Sequence, residues 1–258
     1  MTHPYDNRAA VPHWAEHFAR WRAGSDRLRA MPGVQRDLPY ARHPRALIDL
    51  FPAVGARRGT VAFLHGGYWQ WNDRREFAFV APPFQAAGYD VALVGYPLAP
   101  EFGVAGIVTA VAAGLETLRG PLAVCGWSAG AHLAVAASAA LAVPVVALSG
   151  IYDLVPICAT PLNDALGLTP ATAAAVSPAF WPDRVAGPCL IGVGGAERPA
   201  LRDQASRFAA MLKDAVALEW PMLDHYSILD ALADPAGVVA RDVLAFLNDR
   251  MTGGDACS

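Results

Sequence analysis

Leu122-Ala123-Val124-Cys125-Gly126-Trp127-Ser128-Ala129-Gly130-Ala131-His132-Leu133 is the stretch that decides the reading of this chain. A short apolar run enters a G-x-S-x-G pentapeptide and an Ala-rich run leaves it, so a buried strand should turn sharply into a helix with Ser128 at the corner. The glycines at 126 and 130 remove the Cβ atoms that would block such a turn. A serine on that corner has its Oγ raised above the sheet instead of laid along a helix, which is the placement a nucleophile needs. In an Ala- and Gly-rich chain the pentapeptide alone is weak. The strand before it and the helix behind it give it weight.

Outward from this corner, strands and helices alternate. Arg45 to Phe51, Thr60 to Leu64 and Asp90 to Val94 read as strands before it; Pro144 to Leu148, Pro188 to Val193 and Val216 to Glu219 read as strands after it. Helices are expected at about Phe79 to Ala87, stopped by Gly88, at Val104 to Leu118, at Pro199 to Lys213 and at Pro235 to Asn248. This alternation implies an α/β fold with a mainly parallel sheet covered by helices on both faces. Residues 1–258 read as one domain. Two parts stand outside the pattern. Between Gly150 and Pro188, prolines 156, 161, 170, 178 and 182 break the chain into short pieces, a cap-like insertion over about 150–187 that should lie above the carboxyl ends of the strands. Residues 1–40 read as a helical extension, with Trp14, Phe18 and Trp21 on one face of a helix that packs against the domain.

Composition narrows the function classes. The chain has 258 residues, is 54% hydrophobic and carries a net charge of −3, so it has no basic field for nucleic acid or anionic membrane. Of its nineteen arginines, nine lie between Arg20 and Arg58; an anionic substrate or a partner surface is one reading, and the simplest is a solvated face. Cys125, Cys158, Cys189 and Cys257 are far apart, with no zinc spacing and no disulfide framework. No metal and no cofactor is expected. Met1 to Ala10 lacks the apolar core of a secretory signal, which makes the cytoplasm the expectation. The uncharged stretch Ala129 to Ile151 reads as a buried helix and strand, not as a membrane span. A small-molecule substrate is expected as partner, and a homodimer is allowed.

A serine hydroxyl needs a base, and the base needs a carboxylate to hold it. In this strand order the acid should follow one late strand and the histidine the next. His225, in Leu223-Asp224-His225-Tyr226-Ser227, meets the second condition; His3, His13, His17 and His43 precede the corner, and His132 points into packing. Glu197, after the strand ending at Val193, meets the first, with Asp153 as the alternative. Asp224 adjoins His225, so their side chains should diverge. His65-Gly66-Gly67-Tyr68-Trp69 follows an early strand, and Gly66 and Gly67 can bring backbone N–H groups to a developing oxyanion beside the N–H of Ala129.

These segments together resemble the α/β-hydrolase kynurenine formamidases, also called arylformamidases. His65-Gly66-Gly67-Tyr68-Trp69 is similar to their H-G-G-x-W signature and Ser128-Ala129-Gly130-Ala131-His132-Leu133-Ala134 to their S-A-G-A-H-L-A elbow helix. Ser149-Gly150-Ile151-Tyr152-Asp153-Leu154 and Asp224-His225-Tyr226-Ser227 add to the resemblance, which runs from about Tyr5 to Leu247. Trp127 stands where the family has histidine, and Glu197 where it has aspartate. The resemblance implies the α/β-hydrolase fold and hydrolysis of N-formyl-L-kynurenine to kynurenine and formate, with Ser128, Glu197 and His225 catalytic. Tyr68, Trp69, Trp71, Trp127 and Tyr226 are then candidates to line a pocket for the anilide ring. Two other readings stay open: a carboxylesterase for small acyl or aryl esters, which passes through the same tetrahedral intermediate, and a non-catalytic binding protein, which an intact Ser128 and His225 argue against.

Overall fold

A computed structural model describes residues 3–251. Eight strands form one sheet in the order β1-β2-β4-β3-β5-β6-β7-β8, with β1 Gln35–Pro39, β2 Leu47–Phe51, β3 Gly59–Leu64, β4 Tyr89–Val94, β5 Leu122–Trp127, β6 Val145–Leu148, β7 Cys189–Gly194 and β8 Ala215–Trp220. From β4 to β8 every pairing is parallel; β2 runs antiparallel to both of its neighbours. This is the α/β-hydrolase fold. The central strands are buried on both faces, which is why they read as continuous apolar runs.

Side chains alternate across the sheet and divide the core in two. Ala62, Leu64, Val124 and Ala147 face helices α3 Val104–Glu116, α4 Ala129–Ser138 and α5 Pro199–Met211. Val61, Phe63, Cys125 and Val146 face the opposite layer, which contains α1 Trp14–Arg29, α2 Ala81–Ala86, α6 Ser227–Ala233 and α7 Val238–Met251. No helix among the described residues is long and apolar enough to cross a membrane. Ala129 to Ile151 is α4, a turn, then β6. Cys125, Cys158 and Cys189 are free thiols, and Cys257 lies outside the described residues.

Two expectations need correction. The N-terminal extension is not wholly helical, because Gln35–Pro39 forms the edge strand β1. All five of its residues are exposed, so no apolar alternation marks it, and backbone pairing with β2 alone defines it. The arginines between 20 and 58 are not simply a solvated face. Arg29 reaches Asp49 at 2.8 Å, Asp49 is fully buried, and the buried Arg74 approaches the same carboxylate at 3.3 Å. The segment 150–187 does form short pieces, including Pro170–Ala175 with a Thr169 capping box. Its apolar side chains, among them Ile157, Leu166 and Ala173, join the core layer beside α4.

Candidate active site

The turn from β5 into α4 puts Ser128 at φ 58° and ψ −122°, a region a serine seldom occupies. Both flanking glycines are required by close approach. A Cβ on Gly126 would lie 2.1 Å from the Gly130 carbonyl oxygen, and one on Gly130 would lie 2.0 Å from that of Leu64. The strained corner is braced from β6, since Ser128 N–H donates to Leu148 O at 2.8 Å.

β7 and β8 supply the other groups. His225 Nε2 lies 3.1 Å from Ser128 Oγ, and His225 Nδ1 lies 2.7 Å from Glu197 Oε2. All three side chains are buried. The second carboxylate oxygen, Oε1, accepts from Ser149 Oγ at 2.6 Å and from Gly194 N–H at 2.8 Å. With both oxygens engaged, Glu197 can present Oε2 to the ring in one orientation, which leaves Nε2 aimed at the serine as a proton acceptor. Asp153 does not join this set: its Oδ1 accepts from Val155 N–H at 2.9 Å in its own loop. Asp224 accepts from the N–H groups of Tyr226 and Ser227, so it shapes the histidine loop and the start of α6.

The loop after β3 closes over the serine. Gly66 passes so near that a Cβ there would sit 2.7 Å from the Trp127 ring and 2.9 Å from Ser128 Cβ. Gly67, at φ 124°, lines the hollow with Ser128. Among the described residues no acceptor takes the N–H of Gly67 or Ala129, so both are free to meet an oxyanion. Two buried histidines brace this frame without entering the chemistry. His65 is held between Phe77 and Tyr96, with Nδ1 2.7 Å from the Gly66 carbonyl, and burial pushes its pKa down to about 4. His132 donates from Nε2 to Val176 O at 2.7 Å and accepts at Nδ1 from Trp69 Nε1 at 3.2 Å; burial pushes its pKa down to about 4 as well.

Trp69 therefore is not a pocket residue. Tyr68 and Trp69 both have positive φ, which turns consecutive side chains apart, and the Trp69 indole goes into the core to meet His132. Tyr68, Trp71, Trp127 and Tyr226 do line a narrow hollow of about 30 Å³ around Ser128 and His225. Its remaining walls include Asn7, Arg8, Phe18 and Asn72, and none of the lining residues comes from 150–187. The insertion expected to roof the site does not reach this hollow; the chain's N-terminal end does. That end is well tied. Asn7 Nδ2 donates to the Tyr68 hydroxyl at 2.9 Å, the Tyr68 hydroxyl donates to Tyr5 O, Arg198 Nε donates to Asp6 O at 2.8 Å, and Gln204 Nε2 donates to the Tyr5 hydroxyl at 2.9 Å. Nothing in the polar segment Tyr5-Asp6-Asn7-Arg8 marks it as active-site wall, because its partners lie up to 199 residues away.

Fold and site define a hydrolase of the α/β-hydrolase class. No family model matches the chain. Its relatives include the kynurenine formamidases of Salmo salar, 28% identical over 245 residues, and of Danio rerio, 29% identical over 244, each alignment covering 84% of this chain and 83% of the relative. Among solved structures it is similar to a thioesterase candidate from Silicibacter sp. TM1040, with a TM-score of 0.85, 29% identity and coverage of 95% of this chain and 97% of that one. An esterase from Pyrobaculum calidifontis superposes with a TM-score of 0.73 at 18% identity over 95% of this chain and 93% of its own, a likeness of fold.

Proposed function

We propose that this chain is an aryl formamidase that hydrolyses N-formyl-L-kynurenine to kynurenine and formate. The observation that carries the reading is the unbroken relay from Glu197 through His225 to Ser128, set beside the free N–H groups of Gly67 and Ala129. The relatives named kynurenine formamidase supply the substrate. Ser128 Oγ attacks the formyl carbon while His225 Nε2 takes the hydroxyl proton, and the resulting oxyanion is held by the two N–H groups. Collapse expels the aryl amine, which receives the proton from His225 and leaves a formyl ester on Ser128. Water then attacks that ester, giving its proton to His225; formate departs and the proton returns to Ser128. Glu197 keeps the imidazole in the required tautomer throughout.

The likeness at 29% identity to a thioesterase candidate favours a second reading, hydrolysis of small acyl esters by the same relay. One comparison separates them. The purified protein should release kynurenine from N-formylkynurenine far faster than it cleaves p-nitrophenyl acetate, and Ser128→Ala should abolish both. Ester turnover without deformylation rejects the formamidase reading.

A further inference from the structure

Arg8 is the one formally charged side chain besides the titratable His225 among the residues lining the hollow at Ser128. It is exposed, and among the described residues it forms no ion pair. Two indoles hold it instead: its Cζ lies 4.4 Å from the Trp14 ring and 4.8 Å from the Trp71 ring. Asp6, two positions away, is turned elsewhere, accepting from Ala9 N–H as a helix cap. A guanidinium laid between ring faces is held in place, and with five N–H donors it can meet the Tyr226 hydroxyl and still offer N–H groups to a planar acceptor. The segment that carries it is anchored on both sides, by Tyr5 and Asn7 before it and by α1 after it. No lining carboxylate competes for the cation.

We infer that Arg8 binds a carboxylate on the substrate, so that the Ser128 hollow selects aromatic formamides and esters that bear an anionic group on the leaving or acyl side. The inference rests on the reading of Ser128 as nucleophile. A fork-shaped cation at the mouth and a hydroxyl at the floor fix both ends of such a molecule, which orients the acyl carbon against Ser128 Oγ. The Tyr226 phenol, on the same wall, is hydrogen-bonded to Arg8 and helps fix the direction of the guanidinium.

Two substrate pairs test it: N-formylkynurenine against formanilide, and p-nitrophenyl hydrogen glutarate against p-nitrophenyl butyrate. In each pair the readout is the ratio of kcat/KM for the carboxylate substrate to that for the neutral one. Arg8→Gln should lower this ratio about tenfold, mainly through KM, as expected for loss of a charge-assisted contact. Arg8→Lys should restore part of it, since the charge returns without the fork. A brace for the N-terminal segment would lower both members of a pair alike, and a ratio unchanged in Arg8→Gln overturns the inference. Where only the ester pair is turned over, the formamidase reading fails while the ester ratio still decides the role of Arg8. Quenching of Trp fluorescence by 4-phenylbutyrate against 4-phenylbutyramide, in the native protein and in Arg8→Gln, gives the same ratio without turnover.

Discussion

The indole Nε1 of Trp127 donates a hydrogen bond to the carbonyl oxygen of His225 at 2.9 Å, and its ring lies 4.9 Å from the imidazole. The residue before the proposed nucleophile thus holds the loop that carries the nucleophile's base. Where the resembling family has histidine, this chain has a wide ring that also meets Trp21 of α1 edge-on at 5.6 Å. Trp127→Phe keeps a ring and removes the N–H, leaving a buried carbonyl unpaired at a cost of about 1–3 kcal/mol. We expect kcat to fall about tenfold with KM little changed, and thermal unfolding to move down; steady-state kinetics and a melting curve check both.

Ser149 acts one step further back. Its hydroxyl and Gly194 N–H share Glu197 Oε1, so Ser149→Ala halves the support of that oxygen while touching no reacting atom. The expected result is a drop in kcat of about tenfold at constant KM, rescued by Ser149→Thr where the methyl can be housed. A loss confined to KM would place Ser149 in binding instead.

The acid itself is tested by a pair of amides. Glu197→Gln should cost about 10³–10⁴ in kcat, the scale set when a triad carboxylate becomes an amide. Asp153→Asn should stay within about threefold, because that carboxylate serves only its own loop. The reverse order of losses would move the acid to Asp153.

Stability should fall in mild acid through His65 and His132, both buried with pKa values pushed from 6.5 to about 4. Above pH 6.5 these imidazoles are neutral in the folded and unfolded chain alike, and pH has no leverage. Between 6.5 and 4 the unfolded chain takes up protons that the folded chain refuses, so stability declines as pH drops. Below 4 both states are charged and the slope ends. Each group can contribute up to about 3 kcal/mol over that window. Urea unfolding at pH 7 and pH 4.5 measures it, and His132→Asn should flatten the decline.

Asp49 is the buried acid of the antiparallel side, shared by Arg29 and Arg74. Asp49→Ala leaves Arg74, only 3% exposed, without its buried partner. Arg74 keeps Asp37 and Asp73 as partners, so we expect a loss of about 1–3 kcal/mol, read from denaturant midpoints, with the site chemistry retained in the folded fraction.

What could be read from the chain divides along physical lines. Strands β3 to β7 and the Ser128 corner were legible because burial on both faces and close backbone approach dictate residue type locally: apolar runs for the former, Gly126 and Gly130 for the latter. β1 was not, since a fully exposed edge strand is specified by its neighbour's backbone and not by its own side chains. Trp69 misled because adjacency to the glycine loop suggested the pocket, whereas the positive φ values at Tyr68 and Trp69 reverse where each ring goes. Asp49 had left a trace, an acid inside Leu47-Ile48-Asp49-Leu50-Phe51, which in a strand of a covered sheet requires a cation. Asn7 and Arg8 left none. Their role depends on contacts that only the finished fold creates.

That last point sets an order of events. The first wall of the hollow to leave the ribosome is Asn7 and Arg8, yet two of the segment's anchors, Arg198 and Gln204, are made nearly two hundred residues later. Tyr68 offers a first contact 61 residues after Asn7, but the strap is fully tied only once Arg198 and Gln204 have been made. A nascent chain can build the sheet, strain Ser128 into its corner and still have an unfinished site.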